Sequence, residues 1–141
     1  MIRRLALVLV FVFAIVLAVA TPVMAATDVV EQLRLRVPAA HREVWLDGER
    51  STWQPWLEAQ TGFLGRDLYW DPQREEGVLL IRWASRSQWK SISVQEVARV
   101  QASFESLVKA ELGLDDAAPS PFPLLAEGEL QLQRLQGDAW P

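Results

Sequence analysis

The sequence predicts an α+β fold whose elements follow the order βαββαβ. Two strand-like runs, residues 63–70 and 78–84, flank a short polar turn at the centre of the chain. A short turn between two such runs is typical of an antiparallel hairpin. One strand and one helix are predicted before this hairpin, and one helix and one strand after it. The usual solution for this order is an antiparallel four-stranded sheet with both helices on one face.

The predicted first strand covers residues 29–37. Leu33, Leu35 and Val37 alternate with polar residues, which is the two-residue period of a strand. Pro38 ends the strand because its ring removes a backbone donor that the sheet would need.

The predicted first helix covers residues 39–60 and is expected to bend. A broad apolar face at helical spacing supports the helix, and its members are Val44, Trp45, Trp53, Trp56 and Leu57. Gly48 weakens the middle by about 1 kcal/mol relative to Ala, and the ring of Pro55 clashes with the carbonyl four residues earlier. We therefore expect a bent helix or two helices in series, closed by Gly62.

The two strands of the central hairpin differ in polarity. The run 63–70 is partly apolar on both of its faces, whereas the run 78–84 is almost continuously apolar. A strand that is almost continuously apolar is usually covered on both faces of the sheet.

The second helix is predicted from its capping residues. Ser85 and Ser93 each begin a capping-box spacing, and S-V-Q-E at residues 93–96 is the better match. The apolar stripe that follows predicts a helix ending at Gly113. The α+β core is therefore expected to cover residues 27–113.

The C-terminal part predicts a connector, a strand and a tail. Three prolines mark residues 114–126 as a connector. Residues 129–135 alternate again, so the fourth strand is expected within 127–136, before a tail at 137–141.

The N-terminal residues 1–26 have the features of a secretory signal peptide. Two arginines precede sixteen unbroken apolar residues, 5–20, and small residues follow around Ala25. A spanning helix needs about 20 apolar residues. Cleavage near Ala25 or Ala26 is therefore the favoured interpretation, with export to the periplasm or another extracytoplasmic lumen. The alternative is a retained anchor at residues 5–20, the only case in which a membrane would be a partner.

The composition argues against several classes of site. The chain has no Cys and one His, so neither a disulfide, a thiolate nucleophile, a metal site nor a cofactor is predicted. The net charge is −4 and becomes −6 once residues 1–26, with two Arg and no acidic residue, are removed. Nucleic acid is therefore not expected as a partner. His41 is interpreted as a solvated side chain, since no carboxylate is spaced to support catalysis.

One face of the predicted sheet has no helix to cover it. If Leu33 and Leu35 face the helices, the arginines between and after them face outward. The larger residues expected on this outward face are Arg34, Arg36, Arg66, Arg82, Leu64, Leu68, Trp70, Val78 and Leu80. Monomers seldom leave such a mixed patch in water. A homodimer is therefore predicted, in which two sheets face each other and enclose a barrel-like space.

The same patch supplies the candidate ligand-binding residues, which are Arg34, Arg36, Arg66, Trp70, Arg82 and Trp83. The arginines can bind a carboxylate or phosphate of a small organic or anionic ligand, and the indoles can form a wall for a flat ligand. The alternative is structural, with ion pairing for the arginines and core or dimer packing for the tryptophans. No residue is assigned a catalytic role.

The hairpin and the residues after it resemble a known superfamily. The strand entry G-F-L-G at 62–65 and the run I-R-W-A-S-R-S-Q-W at 81–89 look like the dimeric α/β-barrel superfamily. The chain is most similar to the antibiotic-biosynthesis-monooxygenase-like branch and, closer still, to a small family of uncharacterised, mostly cyanobacterial proteins. The resemblance covers residues 29–112 and implies a ferredoxin-like sandwich that pairs into a dimeric α/β barrel.

The resemblance implies more than one kind of activity, because this superfamily includes cofactor-free oxygenases, haem-degrading oxygenases and proteins without known activity. The haem-degrading members use an Asn of the first strand, and this chain has no Asn. Two functions remain open. One is a dimeric domain that binds a small molecule or has a structural role. The other is a cofactor-free monooxygenase-like enzyme acting on an aromatic or polyketide-like molecule.

Overall fold

The computed structural model describes residues 29–133 of the chain. The predicted signal peptide and tail lie outside the described residues. Between residues 29 and 133, no helix is both long enough and apolar enough to cross a membrane.

Four strands form one antiparallel sheet in the spatial order β2-β3-β1-β4. The strands are β1 (Val29–Arg36), β2 (Phe63–Asp71), β3 (Glu76–Trp83) and β4 (Leu124–Leu130). The helices are α1 (Arg42–Gly48), α2 (Gln54–Glu58), α3 (Arg86–Lys90) and α4 (Val94–Glu111). The predicted α+β fold and its βαββαβ order are confirmed.

The segment between β1 and β2 is helical from Ala39 to Glu58 but changes its pitch, which confirms two helices in series. A 3₁₀ turn, Ala39–His41, leads into α1, and a π-helical turn, Glu49–Trp53, joins α1 to α2. Gly48 allows α1 to approach α4 closely, because an added Cβ would lie 2.7 Å from the ring of Phe104. The π-helical turn follows this contact and leads directly into α2, and Pro55 lies in the first turn of α2.

The two faces of the sheet differ in what covers them. The covered face, against the helices, carries Leu33 and Leu35 of β1 and Leu79, Ile81 and Trp83 of β3. The open face carries Arg34, Val78, Leu80 and Arg82, which alternate with those residues along the strands.

The core lies between the covered face and the helices. Its fully buried side chains are Val37, Trp45, Trp83, Phe104, Val108 and Phe122. Burial of side chains this large contributes about 1.5–3 kcal/mol each. The core therefore fills the space between the two layers.

A bulge in β2 decides which of its residues face the helices. Phe63 pairs with Trp83 and Arg66 with Ile81, so β2 advances three residues while β3 advances two. Gly65, at a φ of +136°, accommodates the extra residue. The bulge reverses the alternation, and the following covered-face residues are Arg66, Leu68 and Trp70. The prediction that these residues face outward is wrong, because one additional residue moves every later side chain to the other face.

The capping serines differ from their predicted ranking. Ser85 caps α3, since its hydroxyl accepts a hydrogen bond from the backbone N–H of Gln88 at 3.2 Å. Ser93 precedes α4 without a capping bond, and its hydroxyl donates instead to Gln95 at 2.9 Å. Helix α4 still begins where the spacing predicts.

The last strand begins earlier than the alternation at 129–135 predicts. Phe122 is buried beside Phe104, with ring centroids 6.1 Å apart. The next residue, Pro123, accepts a hydrogen bond from the backbone N–H of Arg36 at 2.9 Å. This hydrogen bond holds the chain beside β1, and β4 begins at the following residue, Leu124. The last residues of the predicted connector, 124–126, therefore belong to β4. Both faces of β4 are exposed to solvent.

Candidate functional site

The open face brings together three of the six candidate ligand-binding residues. Arg34 and Arg36 lie on β1 and Arg82 on β3, beside Val78 and Leu80. Tyr69 of β2 is opposite Val78 on the same face and is 56% exposed. This is an extended surface with an apolar middle and charged positions around it.

The arginines of the open face are already paired. Arg34 bonds to Glu76 across the β1–β3 pair, and Arg82 donates to the Asp67 carboxylate of β2 at 2.6 Å. Arg36 lies 3.8 Å from Glu75. These contacts correspond to the structural alternative predicted for the arginines, and they leave the face close to electrically neutral.

Arg66 lies on the covered face in a buried ion pair. Its Nη1 donates to Oε2 of Glu49 at 2.5 Å, its Nη2 to the backbone carbonyl of Glu49 at 3.2 Å, and its Nε to Gln54 at 2.7 Å. The two charged side chains are only 3% and 4% exposed. The pair connects β2 to the π-helical turn, and the turn directs Glu49 inward.

The charge of Glu49 depends on its partner. Burial raises the pKa of Glu49 above its ordinary value, and the charge and hydrogen bond of Arg66 oppose that rise. The indole N–H of Trp45 acts in the same direction as Arg66, although its geometry falls short of a hydrogen bond. Glu49 and Arg66 therefore form a mutually dependent unit in the core.

The two candidate tryptophans also lie on the covered face. Trp70 donates its indole N–H to the carbonyl of Val37 at 3.0 Å, and the guanidinium of Arg42 lies 5.1 Å from its ring centroid. Trp83 is fully buried and donates to the carboxylate of Glu31 at 3.1 Å. The six candidate residues therefore divide equally between the two faces and do not form one site.

Glu31 is a second acidic residue on the covered face, and it is partly buried. The sequence alone did not identify it as a buried acid. Burial raises its pKa, while the hydrogen bond from Trp83 and the charge of Lys90 lower it. The alternation in β1 could have predicted this position, because Glu31 lies two residues before Leu33 and therefore on the same face of the strand. Glu49, in contrast, is placed by a π-helical turn that leaves no such pattern. In the described part of the chain, no group of three His, Asp or Glu side chains is arranged to hold a metal ion.

A groove opens in the helical layer, where α4 packs against α1 and the π-helical turn but diverges from α2. Its volume is about 460 Å³. One wall consists of Ser51, Thr52 and Trp56, and the other consists of Glu96, Arg99, Val100 and Ser103. Its lining is mixed, with hydroxyls, an acid, a guanidinium and one indole.

Comparisons with known proteins support the fold. No family model matches the sequence, and no curated protein matches it. The structure is similar to that of a monooxygenase from the gene ActVA-Orf6 of Streptomyces coelicolor, solved in complex with nanaomycin D. The TM-score is 0.58 and the identity 13%, over 78% of this chain and 91% of that one.

Two further solved structures are similar at lower scores. SnoaB, a cofactor-independent oxygenase from Streptomyces nogalater, has a TM-score of 0.45 and 15% identity, over 80% of this chain and 100% of that one. Rv0793 from Mycobacterium tuberculosis has a TM-score of 0.39 and 21% identity, over 70% of this chain and 93% of that one. The stronger match, the strand order and the antiparallel pairing together bear out the fold that the resemblance implies. The chain has a ferredoxin-like α+β fold, similar to that of the ActVA-Orf6 monooxygenase.

Proposed function

We propose that this chain is an exported domain that forms a homodimer through the open face of its sheet, and that it acts by binding rather than by catalysis. The observation that carries the proposal is the open face itself. Val78 and Leu80 lie at its middle, Tyr69 is 56% exposed and Leu130 is 40% exposed. The helices pack on the other side, so a second copy is the partner that fits this surface.

The charges of the open face also suit a second copy. Arg34 is paired with Glu76 and Arg82 with Asp67 within one protomer. A two-fold axis brings the same surface of both copies together. Because each guanidinium already has a carboxylate beside it, two such faces meet without uncompensated repulsion.

A binding role is supported by the filled interior of the protomer. Trp45, Trp83 and Phe104 are fully buried between the sheet and the helices. An enzyme site needs an enclosed cavity with converging polar groups. In the proposed dimer, the space for a small organic or anionic ligand lies instead between the two sheets.

The alternative function is a cofactor-free monooxygenase-like activity on an aromatic or polyketide-like molecule. The observation that favours it is the fold shared with the ActVA-Orf6 monooxygenase, whose structure contains nanaomycin D. Oxygen uptake with a panel of quinol-type substrates tests it. Turnover that is lost in Arg82→Ala, with the fold intact, would replace the binding role by this one.

The homodimer is tested by light scattering of the mature protein at micromolar concentration. The wild-type chain should be a dimer, and Leu80→Asp should be a monomer because it places a charge at the middle of the open face. Val94→Asp is the matched control, since Val94 is 77% exposed on α4, away from the sheet. A monomeric wild type, or equal dissociation by Val94→Asp, would overturn the proposal.

Export is tested separately by expressing the full chain in a bacterial host. N-terminal sequencing of the periplasmic fraction should find a mature protein that begins near Ala26 or Thr27. A full-length product held in the membrane fraction would instead support the retained anchor.

A further inference from the structure

We infer that the groove between the π-helical turn and α4 is a binding site for a neutral saccharide of one or two rings. The groove belongs to the helical layer, so the inference goes beyond the proposed function and does not depend on it. The volume of about 460 Å³ lies within the range of about 300–1,000 Å³ that small-molecule sites occupy.

The indole of Trp56 forms the aromatic wall of this groove. Trp53 holds it edge-on, with ring centroids 5.5 Å apart and an interplanar angle of 83°. The ring is thus fixed before any ligand arrives, which lowers the entropic cost of binding. The C–H face of a pyranose packs well on such a fixed aromatic surface, while its hydroxyls stay available for polar partners.

The opposite wall supplies the polar partners. Glu96, Arg99 and Ser103 follow one another at spacings of three and four residues on α4, so they share one helix face. The carboxylate of Glu96 accepts hydrogen bonds and the guanidinium of Arg99 donates them. Ser103 donates its hydroxyl hydrogen to the carbonyl of Arg99 at 3.2 Å, which leaves its oxygen free to accept. Glu96 and Arg99 are only loosely paired, at 3.9 Å, and the Arg99 side chain is 77% exposed.

The π-helical turn adds hydroxyls from the first wall. Ser51 is exposed, and Thr52 donates its hydroxyl hydrogen to the carbonyl of Gly48 at 2.8 Å, which leaves its oxygen free to accept. A π-helical turn is rare and is found frequently at functional sites. Here the same turn directs Glu49 into the core and presents these two hydroxyls to the groove.

The charge balance of the groove selects the class of ligand. One acid and one guanidinium offset each other, so neither an anion nor a cation is strongly favoured. A purely apolar ligand would form no hydrogen bond with the carboxylate, the guanidinium or the hydroxyl oxygens that line the two walls. A neutral molecule with many hydroxyls and an apolar ring face satisfies both walls. Because the groove is open, we expect a dissociation constant of about 1–10 mM.

The test is a titration followed through the indole N–H signals in two-dimensional NMR, with cellobiose, maltose and N-acetylglucosamine as the probes. The Trp56 signal is assigned by its loss in Trp56→Phe. At least one sugar should move this signal saturably, whereas glycerol, which has hydroxyls but no ring face, should not. No saturable shift with any of the three sugars up to about 50 mM would overturn the inference.

Matched variants separate binding in the groove from a general effect on the surface. Arg99→Ala should weaken the sugar about tenfold, because it removes the main donor of the α4 wall. Arg50→Ala is the control, since Arg50 lies beside Ser51 but does not line the groove and is paired with Asp47. Equal weakening by both variants would overturn the inference. Leu80→Asp should leave the sugar affinity unchanged, so a failure of the dimer proposal is distinguishable from a failure of this one.

Discussion

The two faces of the sheet use the same residue types for different purposes. On the covered face, Arg66 and Glu49 are almost inaccessible to water, at 3% and 4% exposure. On the open face, Arg82 and Asp67 form an equally short ion pair at 44% and 48% exposure. Both pairs join an arginine to a carboxylate, so burial is the main difference between them.

That difference determines how much each pair contributes. A half-exposed ion pair contributes about 0–1 kcal/mol, because water and salt screen its charges. A buried pair adds little net stability as a pair, since desolvation of both charges offsets their attraction. Removal of one member, however, leaves the other charged and unpaired in the core. The covered face is thus intolerant of change, while the open face remains adaptable and available for a partner.

The largest expected effect comes from breaking the buried pair. Arg66→Ala should lower the free energy of unfolding by about 3–5 kcal/mol, because Glu49 loses its only guanidinium partner in the described part of the chain. Arg82→Ala, its counterpart on the open face, should cost about 1 kcal/mol or less. Urea unfolding followed by circular dichroism measures both values.

Both variants are best compared in the Leu80→Asp background, so that dissociation of a dimer adds nothing to either value. If Arg66→Ala and Arg82→Ala lowered the free energy of unfolding equally, burial would not determine how much each ion pair matters for stability. The comparison between the faces would then fail.

Sequence periodicity was sufficient to predict the order of the helices and strands, but not to predict which residues of every strand face the helices. The alternation in β1 places Leu33 and Leu35 correctly on the covered face. In β2 the same reasoning fails, because the bulge at Gly65 adds one residue and brings Arg66 and Trp70 inward. A glycine in a strand is a hint of a bulge, but only the pairing with β3 shows where the register shifts.

The two buried acids were predictable to different degrees. Glu31 occupies a covered-face position that the strand period alone assigns. Glu49 is turned inward by the π-helical turn, which arises from the close packing of Gly48 on α4 and the restart of the helix near Pro55. Such a turn depends on tertiary contacts, so local spacing did not predict it. Local spacing did not predict the groove either, because the groove forms where α2 and α4 diverge in the folded chain.

A second prediction compares a glycine on each side of the sheet. An added Cβ at Gly77 would lie 2.8 Å from the buried ring of Trp45, whereas one at Gly128 of β4 would meet nothing within 4 Å. Gly77→Ala should therefore cost about 1–3 kcal/mol through overpacking. Gly128→Ala should change stability by about 0.5 kcal/mol or less. Thermal unfolding of both variants in the monomeric background measures this difference, and a tolerated Gly77→Ala would show that the covered face can relax.

The smallest effect concerns Glu31 and depends on pH. Burial raises its pKa above the ordinary value of 4.5, so its ionised form opposes folding, and the stability that its protonated form contributes is lost as pH rises through the folded-state pKa. Glu31→Gln removes that charge and keeps an acceptor for the indole N–H of Trp83. The variant should therefore be more stable than wild type at pH 7, and the gain should vanish below pH 4.5, where wild-type Glu31 is also neutral.

The control for this prediction is Glu43→Gln, which neutralises an exposed carboxylate at the start of α1. It should give no gain at pH 7, because Glu43 is solvated and interacts favourably with Arg42 and the helix N-terminus. Urea unfolding of the two variants and the wild type at several pH values distinguishes them. If Glu31→Gln destabilises the protein at pH 7, the ionised carboxylate contributes more through Trp83 and Lys90 than burial costs it. The covered face would then tolerate a charge on β1 as readily as the open face does.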